Sequence, residues 1–163
     1  MISIITSLPE TKLIGMRQTM SFAHNTTPAL WKSFMPRRKE INNTVDGNLY
    51  SLQNYNAGFF NDFSPLTAFE KWAAVAVPDF NTVPAGMETL TLTGGLYAMF
   101  NYKGDAAGAD GFFRAIFQEW LPQAGYIVDD RPHFELLGEK YKKGADDSEE
   151  EVWIPVKQTA GSR

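Results

Sequence analysis

The chain has 163 residues, of which 44% are hydrophobic and 21% are charged, and its net charge is −4 at pH 7. A chain of this size can bury one substantial core, so we expect a single domain, which two halves can compose. The absence of cysteine excludes disulfides, thiolate metal sites and cysteine nucleophiles, and with only two histidines we expect neither a metal nor a cofactor.

The charge pattern and the hydropathy also limit the partners. The only basic cluster is at residues 37–39, in a chain of net charge −4, which argues against direct binding of nucleic acid. The N-terminus shows no targeting signal, and no apolar stretch approaches the length of a membrane span. We therefore expect a cytoplasmic protein with no nucleic-acid partner and no membrane partner.

The first half of the chain is predicted to contain a strand, a helix and two more strands. The first strand is predicted at residues 12–22. Thr27 is a candidate N-cap with Pro28 in the first turn, and apolar residues then share one helical face until Pro36 ends the helix. The basic cluster is expected in a solvated turn after it. The further strands are predicted at residues 49–55 and 70–77.

A linker at residues 78–84, with two prolines and no periodicity, separates the halves. Residues 87–102 are predicted to form two short strands, or one strand with a glycine bulge. A loop is expected at residues 104–111, and a second apolar helical face runs from Phe112 to Pro122. The last two strands are predicted at residues 133–141 and 149–157, on either side of a charged loop.

The two halves match at several anchors in the same order. The anchors are residues 13–16 with 96–99, residues 31–36 with 117–122, Tyr55 with Tyr141, and the Glu70-x-Trp72 pattern with Glu151-x-Trp153. This indicates a duplication. The predicted fold class is α+β, with two βαββ units in tandem related by a pseudo-twofold around a central ligand cleft. The predicted domain covers residues 1–158, with repeats at about 10–78 and 84–157 and a tail at 159–163.

The two Glu-x-Trp patterns are the first candidate for a binding site. Residues two apart on a strand point to the same side, so Glu151 lies beside Trp153. An indole ring attracts positive charge and a carboxylate neutralises it, which favours a site for an organic cation. The alternative is an edge strand whose glutamates are solvated.

Four segments together resemble the GyrI-like family. They are Thr-Gly-Gly-Leu-Tyr-Ala at 93–98, Phe-Gln-Glu-Trp-Leu-Pro at 117–122, Arg-Pro-His-Phe-Glu-Leu at 131–136 and Glu-Val-Trp-Ile-Pro-Val at 151–156. The family comprises the effector-binding domains of multidrug-responsive AraC-type and MerR-type regulators, and stand-alone relatives such as the DNA gyrase inhibitor. The resemblance covers roughly residues 12–157.

The resemblance implies a pocket lined by aromatic residues, in which acidic residues pair with lipophilic cations. It places the glutamate of the Pro-x-x-Glu motif at Glu135 and that of the closing motif at Glu151, with Trp153 as its aromatic residue. The sequence departs from the family at Leu137, where an aromatic residue is common. It also lacks the helix-turn-helix segment of the regulators, which favours a stand-alone protein.

Further candidates come from the pattern of predicted elements alone. Their side chains are expected to face the cleft, and a methionine beside aromatic rings suits ligands of irregular shape. These candidates are Trp31, Trp72, Tyr50, Tyr97 and Met99. Many such residues belong to an ordinary core. His133 is expected to point away from Glu135, which disfavours an acid-base pair.

The favoured function is the binding of lipophilic, cationic organic compounds by a stand-alone domain, for multidrug-type sensing or sequestration linked to transcription. One alternative is a hydrolase of electrophilic small molecules, with Glu135 as a general base. Another is a protein-interaction module with a protein partner, as in a DNA gyrase inhibitor. The sequence contains no Ser-His-Asp order, P-loop or nucleophile elbow, so the non-enzymatic function is preferred.

Overall fold

The computed structural model describes residues 3–142 and 145–159, so most of the predicted tail lies outside the described residues. The strands within them are β1 (Ser3–Leu8), β2 (Thr11–Met20), β3 (Leu49–Asn54), β4 (Phe69–Val77), β5 (Glu88–Leu92), β6 (Gly95–Lys103), β7 (Tyr126–Val128), β8 (His133–Leu137) and β9 (Glu149–Gln158). The helices are α1 (Thr27–Phe34), α2 (Ala106–Ala115) and α3 (Leu121–Ala124). A 3-10 helix (Met35–Glu40) extends α1, and a π-helical segment (Ile116–Trp120) joins α2 to α3.

The strands form one antiparallel sheet in the order β1-β6-β9-β8-β3-β4-β2-β5, with β7 added beside β9. Exchanging β1 with β5, β2 with β6, β3 with β8 and β4 with β9 gives the same strand order, read from the opposite end of the sheet. The register agrees, because Leu52 lies opposite Trp72, Phe134 lies opposite Trp153, and Leu52 and Phe134 lie opposite each other. The α+β class is confirmed, whereas superposition of the two halves by a twofold remains a prediction.

Two short connections force this sheet to curl. β1 and β2 lie six places apart in the strand order, yet only Pro9 and Glu10 join them. Six places in a flat sheet correspond to roughly 29 Å, whereas three residue steps reach about 11 Å at most. The connection from β5 to β6, through Thr93 and Gly94, sets the same condition. The two connections meet, since a Cβ added to Gly94 would lie 2.6 Å from the Leu8 carbonyl oxygen.

The inner face of the curled sheet is apolar and carries the first core. Its buried side chains come from strands of both halves. They are Leu13, Tyr50, Leu52, Trp72, Ala74, Ala76, Leu92, Tyr97 and Phe134. Leu8 and Leu90 pack against this cluster from the outer strands, so both ends of the sheet contribute to one core.

The opposite face, which we call the helical face, carries two separate cores. Helix α1 contributes Leu30 and Phe34 to a cluster with Ile14 and Val75 of β2 and β4. The α2–α3 segment contributes Ile116 and Leu121 to a cluster on β6 and β9. The central strands β3 and β8 lie between these two clusters, so the helices cover the flanks of the sheet and leave its centre to other residues.

The predicted strands and α1 are confirmed to within a few residues at most ends, but β8 stops at Leu137, short of the predicted 141. The loop predicted at 104–111 is wrong, because α2 begins at Ala106. Asp105 caps this helix by accepting a hydrogen bond from the Gly108 amide at 3.2 Å, which offsets the low helix propensity of the glycines. The basic cluster is likewise part of the 3-10 helix rather than a solvated turn.

Gly15 tests the close pairing of β2 with β4. A Cβ at Gly15 would lie 2.1 Å from the Ala73 carbonyl oxygen, within the backbone of the neighbouring strand. Gly15→Ala is therefore expected to lower the free energy of unfolding by about 1–3 kcal/mol or more. Gly47→Ala is the matched control, because nothing lies within 4 Å of the added carbon. Urea unfolding measures both, and equal stability of the two variants would contradict this packing.

Candidate functional site

The two Glu-x-Trp patterns make the same local hydrogen bond. The Trp72 indole N–H donates to Glu70 Oε1 at 3.2 Å, and the Trp153 indole N–H donates to Glu151 Oε1 at 3.0 Å. In each case a carboxylate near the rim of the inner face satisfies an indole that packs against the core. The predicted placement of Glu151 beside Trp153 is confirmed, and part of its acceptor capacity is already used.

The two patterns differ in their counter-charge. Arg17 lies opposite Trp72 and its guanidinium binds Glu70 Oε2 at 2.9 Å. Met99 lies opposite Trp153, so the second half has no arginine at that place. Within the described residues, Glu151 has no ion pair. The register also corrects the first anchor by one residue, since Met99 corresponds to Arg17 and not to Met16.

The structure divides the predicted site residues between the two faces of the sheet. Glu135 lies opposite Val152 and Glu151 lies opposite Leu136, so the two glutamates point to opposite faces and do not share a pocket. Trp31 lies on α1 and packs against the core under that helix. The other predicted residues lie on the inner face with Glu151: Trp153, Trp72, Tyr97, Tyr50 and Met99.

The aromatic residues of the inner face pack against each other. Trp153 stacks on Phe134 with 5.5 Å between ring centroids, and Tyr50 lies 5.3 Å from the same ring. The Tyr97 hydroxyl donates to the Pro132 carbonyl at 2.8 Å. Burial raises the pKa of both Tyr50 and Tyr97 to about 12. These rings fill the core, and their binding of a ligand stays a prediction.

The centre of the helical face is polar. Strands β3 and β8 present Ser51, Gln53, His133 and Glu135 there, a set that we call the polar strip. The Gln53 side-chain amide donates to Glu135 Oε2 at 3.1 Å across the two strands. His133 and Glu135 are two residues apart on a strand and therefore share this face. The expectation that they point to opposite faces is wrong.

Two charged residues border the polar strip. Lys71 of β4 lies opposite Gln53 and is only 5% exposed. Burial lowers the pKa of Lys71, while the charges of Glu135 and Glu150 act in the opposite direction. Burial and the charge of Glu135 raise the pKa of Glu150 to about 7. Lys71, Glu135 and Glu150 thus form a group of ionisable side chains, which we call the charged centre, in a poorly solvated part of the sheet.

An aromatic loop, residues 55–63, borders this region. The Tyr55 ring meets His133 edge to face at 5.0 Å, and Phe60 lies 6.0 Å from His133 and 6.3 Å from Phe117 of the π-helical segment. Burial lowers the pKa of His133 to about 3, so this imidazole is neutral at physiological pH. The loop therefore links the helix on one flank of the sheet to the polar strip.

A cavity of about 430 Å³ opens beside His133, between the aromatic loop and the turn before β8. Its walls include Tyr55, Phe59 and Phe60 on one side and Asp129 and Arg131 on the other. This volume lies in the usual range of pockets for small organic molecules, which combine apolar walls with a few polar groups. The arrangement can hold an aromatic ligand next to His133, two residues before Glu135 on the same face.

Arg131, which belongs to the Arg-Pro-His-Phe-Glu-Leu segment, has a structural role. Its guanidinium donates to the carbonyl oxygens of Leu96 at 2.6 Å and Val156 at 3.1 Å, and pairs with Asp129 at 2.8 Å. The same group lies over the Tyr97 ring at 4.8 Å. Arg131 thus links the turn before β8 to β6 and β9, and so holds the start of β8, where His133 lies.

A curled antiparallel sheet with helices on one face, and with a cavity beside the polar strip at His133, defines a small α+β ligand-binding domain. A model of the GyrI-like small molecule binding domain matches residues 1–157, and the chain belongs to this family. It is 27% identical over 156 residues to the transcriptional regulator BrlR of Pseudomonas aeruginosa, over 93% of this chain and 54% of that protein. The chain thus spans about half the length of this relative.

Two solved structures show the same fold. The C-terminal domain of EcmrR superposes with a TM-score of 0.73 at 13% identity, over 97% of this chain and 98% of that chain. SAV2435 bound to tetraphenylphosphonium superposes with a TM-score of 0.67 at 19% identity, over 96% of this chain and 94% of that chain. No helix in the described part of this chain has the length and apolar character that a membrane crossing requires.

Sequence analysis missed Lys71, Glu150, Gln53 and the aromatic loop. A usable signal existed for Glu150, because adjacent strand residues alternate and Glu150 must point away from Glu151. Only the register of β8 with β9 shows that this direction is that of Glu135. In the described residues, no group of three or more histidine, aspartate or glutamate side chains is arranged to hold a metal ion.

Glu150 makes stability depend on pH. Its pKa rises from 4.5 to about 7 on folding, so the folded protein retains a proton that the unfolded chain releases in this range. This contribution to stability is complete below pH 4.5 and is lost as the pH rises through 7.

Glu150→Gln cannot lose a proton at this position. When the pH is raised from 5 to 8, wild type should therefore lose about 1–2 kcal/mol of stability relative to the variant, allowing for solvent screening. Urea unfolding at both pH values measures this loss, and Glu139→Gln, at an exposed glutamate in the loop after β8, is the control. A stability difference between variant and wild type that is the same at pH 5 and pH 8 would contradict the raised pKa of Glu150.

Proposed function

We propose that this protein binds lipophilic organic cations, which it senses or sequesters. The observation that carries the proposal is the pair of carboxylates on the helical face, Glu135 and Glu150, together with a cavity walled by Tyr55 and Phe60 that reaches His133, two residues before Glu135 on the same face. An aromatic wall binds an apolar body and attracts positive charge, and a poorly solvated carboxylate strengthens that attraction. Together these groups select a bulky ligand that carries a positive charge.

The relatives support this proposal in two ways. A protein of the same fold, SAV2435, was solved with tetraphenylphosphonium, which is a lipophilic cation. BrlR is a transcriptional regulator, which supports a role for this chain in the control of transcription. The link to transcription is part of the proposal, because the chain spans only part of BrlR.

Glu135 is proposed as the main anionic contact. It lies at the centre of the sheet, is half-buried, and is held by the Gln53 amide at 3.1 Å, so its position is fixed before a ligand arrives. Glu151 lies on the inner face, bound to its own indole at 3.0 Å and away from the cavity. The site residues proposed for the ligand are therefore Glu135 and Glu150, with Tyr55 and Phe60 as aromatic walls.

Glu135→Gln tests this assignment, because it keeps the shape of the side chain and removes its charge. The variant should bind methyltriphenylphosphonium more weakly by roughly 1.5–3 kcal/mol, the range for an interaction with a charged group. Binding of triphenylphosphine oxide, which has the same triphenylphosphorus core without the charge, should change little. Isothermal titration calorimetry measures both affinities at pH 8.

Two further variants complete the experiment. Glu139→Gln is the matched control, because it removes an exposed glutamate and should leave both affinities unchanged. Glu151→Gln tests the inner face as the binding surface. Loss of cation binding in Glu151→Gln but not in Glu135→Gln would move the site to the inner face, and equal affinity in all variants would reject recognition by charge.

A further inference from the structure

We propose that Lys71 is the built-in counter-ion of the charged centre and sets its selectivity for charge. Its ammonium group balances the carboxylates in the empty protein, and an organic cation takes over that role when it binds. The inference rests on the proposed function and deepens it, because it names the residue that tunes the affinity of the site for cations.

Lys71 is buried at the edge of the polar strip. Its side chain leaves β4 on the helical face, between Gln18 of β2 and Gln53 of β3, and only 5% of the residue is exposed. A buried ammonium group is costly unless opposite charges compensate it. In the described residues, the charges of Glu135 and Glu150 act on Lys71 and favour its charged form. Gln53, its neighbour in register, donates a hydrogen bond to Glu135, so Lys71 lies next to the residue that holds this carboxylate.

The net charge of the centre depends on Lys71. When both glutamates are ionised, the centre holds two negative charges and one positive charge, so a single monovalent cation makes it neutral. Removing Lys71 leaves two negative charges, which attract the same cation more strongly. Conversely, Lys71 repels any cation that enters the centre, and so limits the affinity of the wild-type protein for cations.

The net charge of the centre also depends on whether Glu150 is protonated. Glu150 lies opposite Tyr102 of β6; the charges of Glu135 and Lys71 act on its pKa, and its own charge acts on Tyr102 and on Tyr141 of the loop before β9. A proton on Glu150 cancels the net negative charge of the centre. The affinity for a cation should therefore rise as the pH increases from 6 to 8, and binding near pH 7 should release a proton. A neutral ligand should show no such dependence.

Lys71→Met provides the test, because methionine keeps most of the length of the side chain without its charge. At pH 8, Lys71→Met should bind methyltriphenylphosphonium about tenfold more tightly than wild type, the effect of removing one like charge at several ångströms in a poorly solvated site. Its affinity for triphenylphosphine oxide should be unchanged. Lys71→Arg keeps the charge and should bind the cation as wild type does, and Lys39→Met removes an exposed lysine as the control.

The outcomes separate this inference from the proposed function. Equal or weaker cation binding by Lys71→Met would overturn the role of Lys71 while leaving a cation-binding wild type intact. Cation binding by Lys71→Met alone would support the counter-ion and reject the function proposed for the wild type, and no binding by either protein would reject both. If Lys71→Met does not fold, Lys71→Gln takes its place, and a cation affinity equal to that of wild type would overturn the inference.

Discussion

Two connections of two residues each, at Pro9–Glu10 and Thr93–Gly94, govern the architecture. Each joins strands that lie six places apart in the strand order, which is possible only if the sheet closes toward itself. Closure turns one face inward, so that face must be apolar, and it is filled by rings such as Trp72, Tyr97 and Phe134. The helices are then restricted to the other face, and each covers the strands next to it in the chain.

That restriction explains why a charged centre exists at all. The helices protect β2 and β4 on one flank and β6 and β9 on the other, which leaves β3 and β8 without a helix above them. Polar side chains are tolerated at this place because they satisfy one another, as Gln53 and Glu135 do. The same place holds the buried Lys71, where the charges of Glu135 and Glu150 oppose the lowering of its pKa by burial. The polar and charged side chains thus lie where no helix covers the sheet.

The sequence predicted most strands, the first helix and the family well, because those depend on local periodicity and on motifs, but it missed β1 and β7. It failed at Ala106, where a cap at Asp105 and packing against the sheet outweigh the glycines. Lys71 could not be singled out because β4 is buried on nearly every residue, so no alternation shows which side is which. Placing Glu135 and Glu151 in one pocket failed for another reason: the relative register of two strands is set by tertiary pairing and is absent from either segment alone.

The exchange of outer strands has a consequence for how the molecule unfolds. β1 precedes β2 in the chain but pairs with β6, and β5 precedes β6 but pairs with β2. Each half therefore completes the sheet of the other, and a half on its own would expose an unpaired strand edge and part of the apolar inner face. Neither half can open without disrupting the hydrogen bonds of the other. The protein should therefore lose its structure in one cooperative transition, despite a chain that repeats its own pattern.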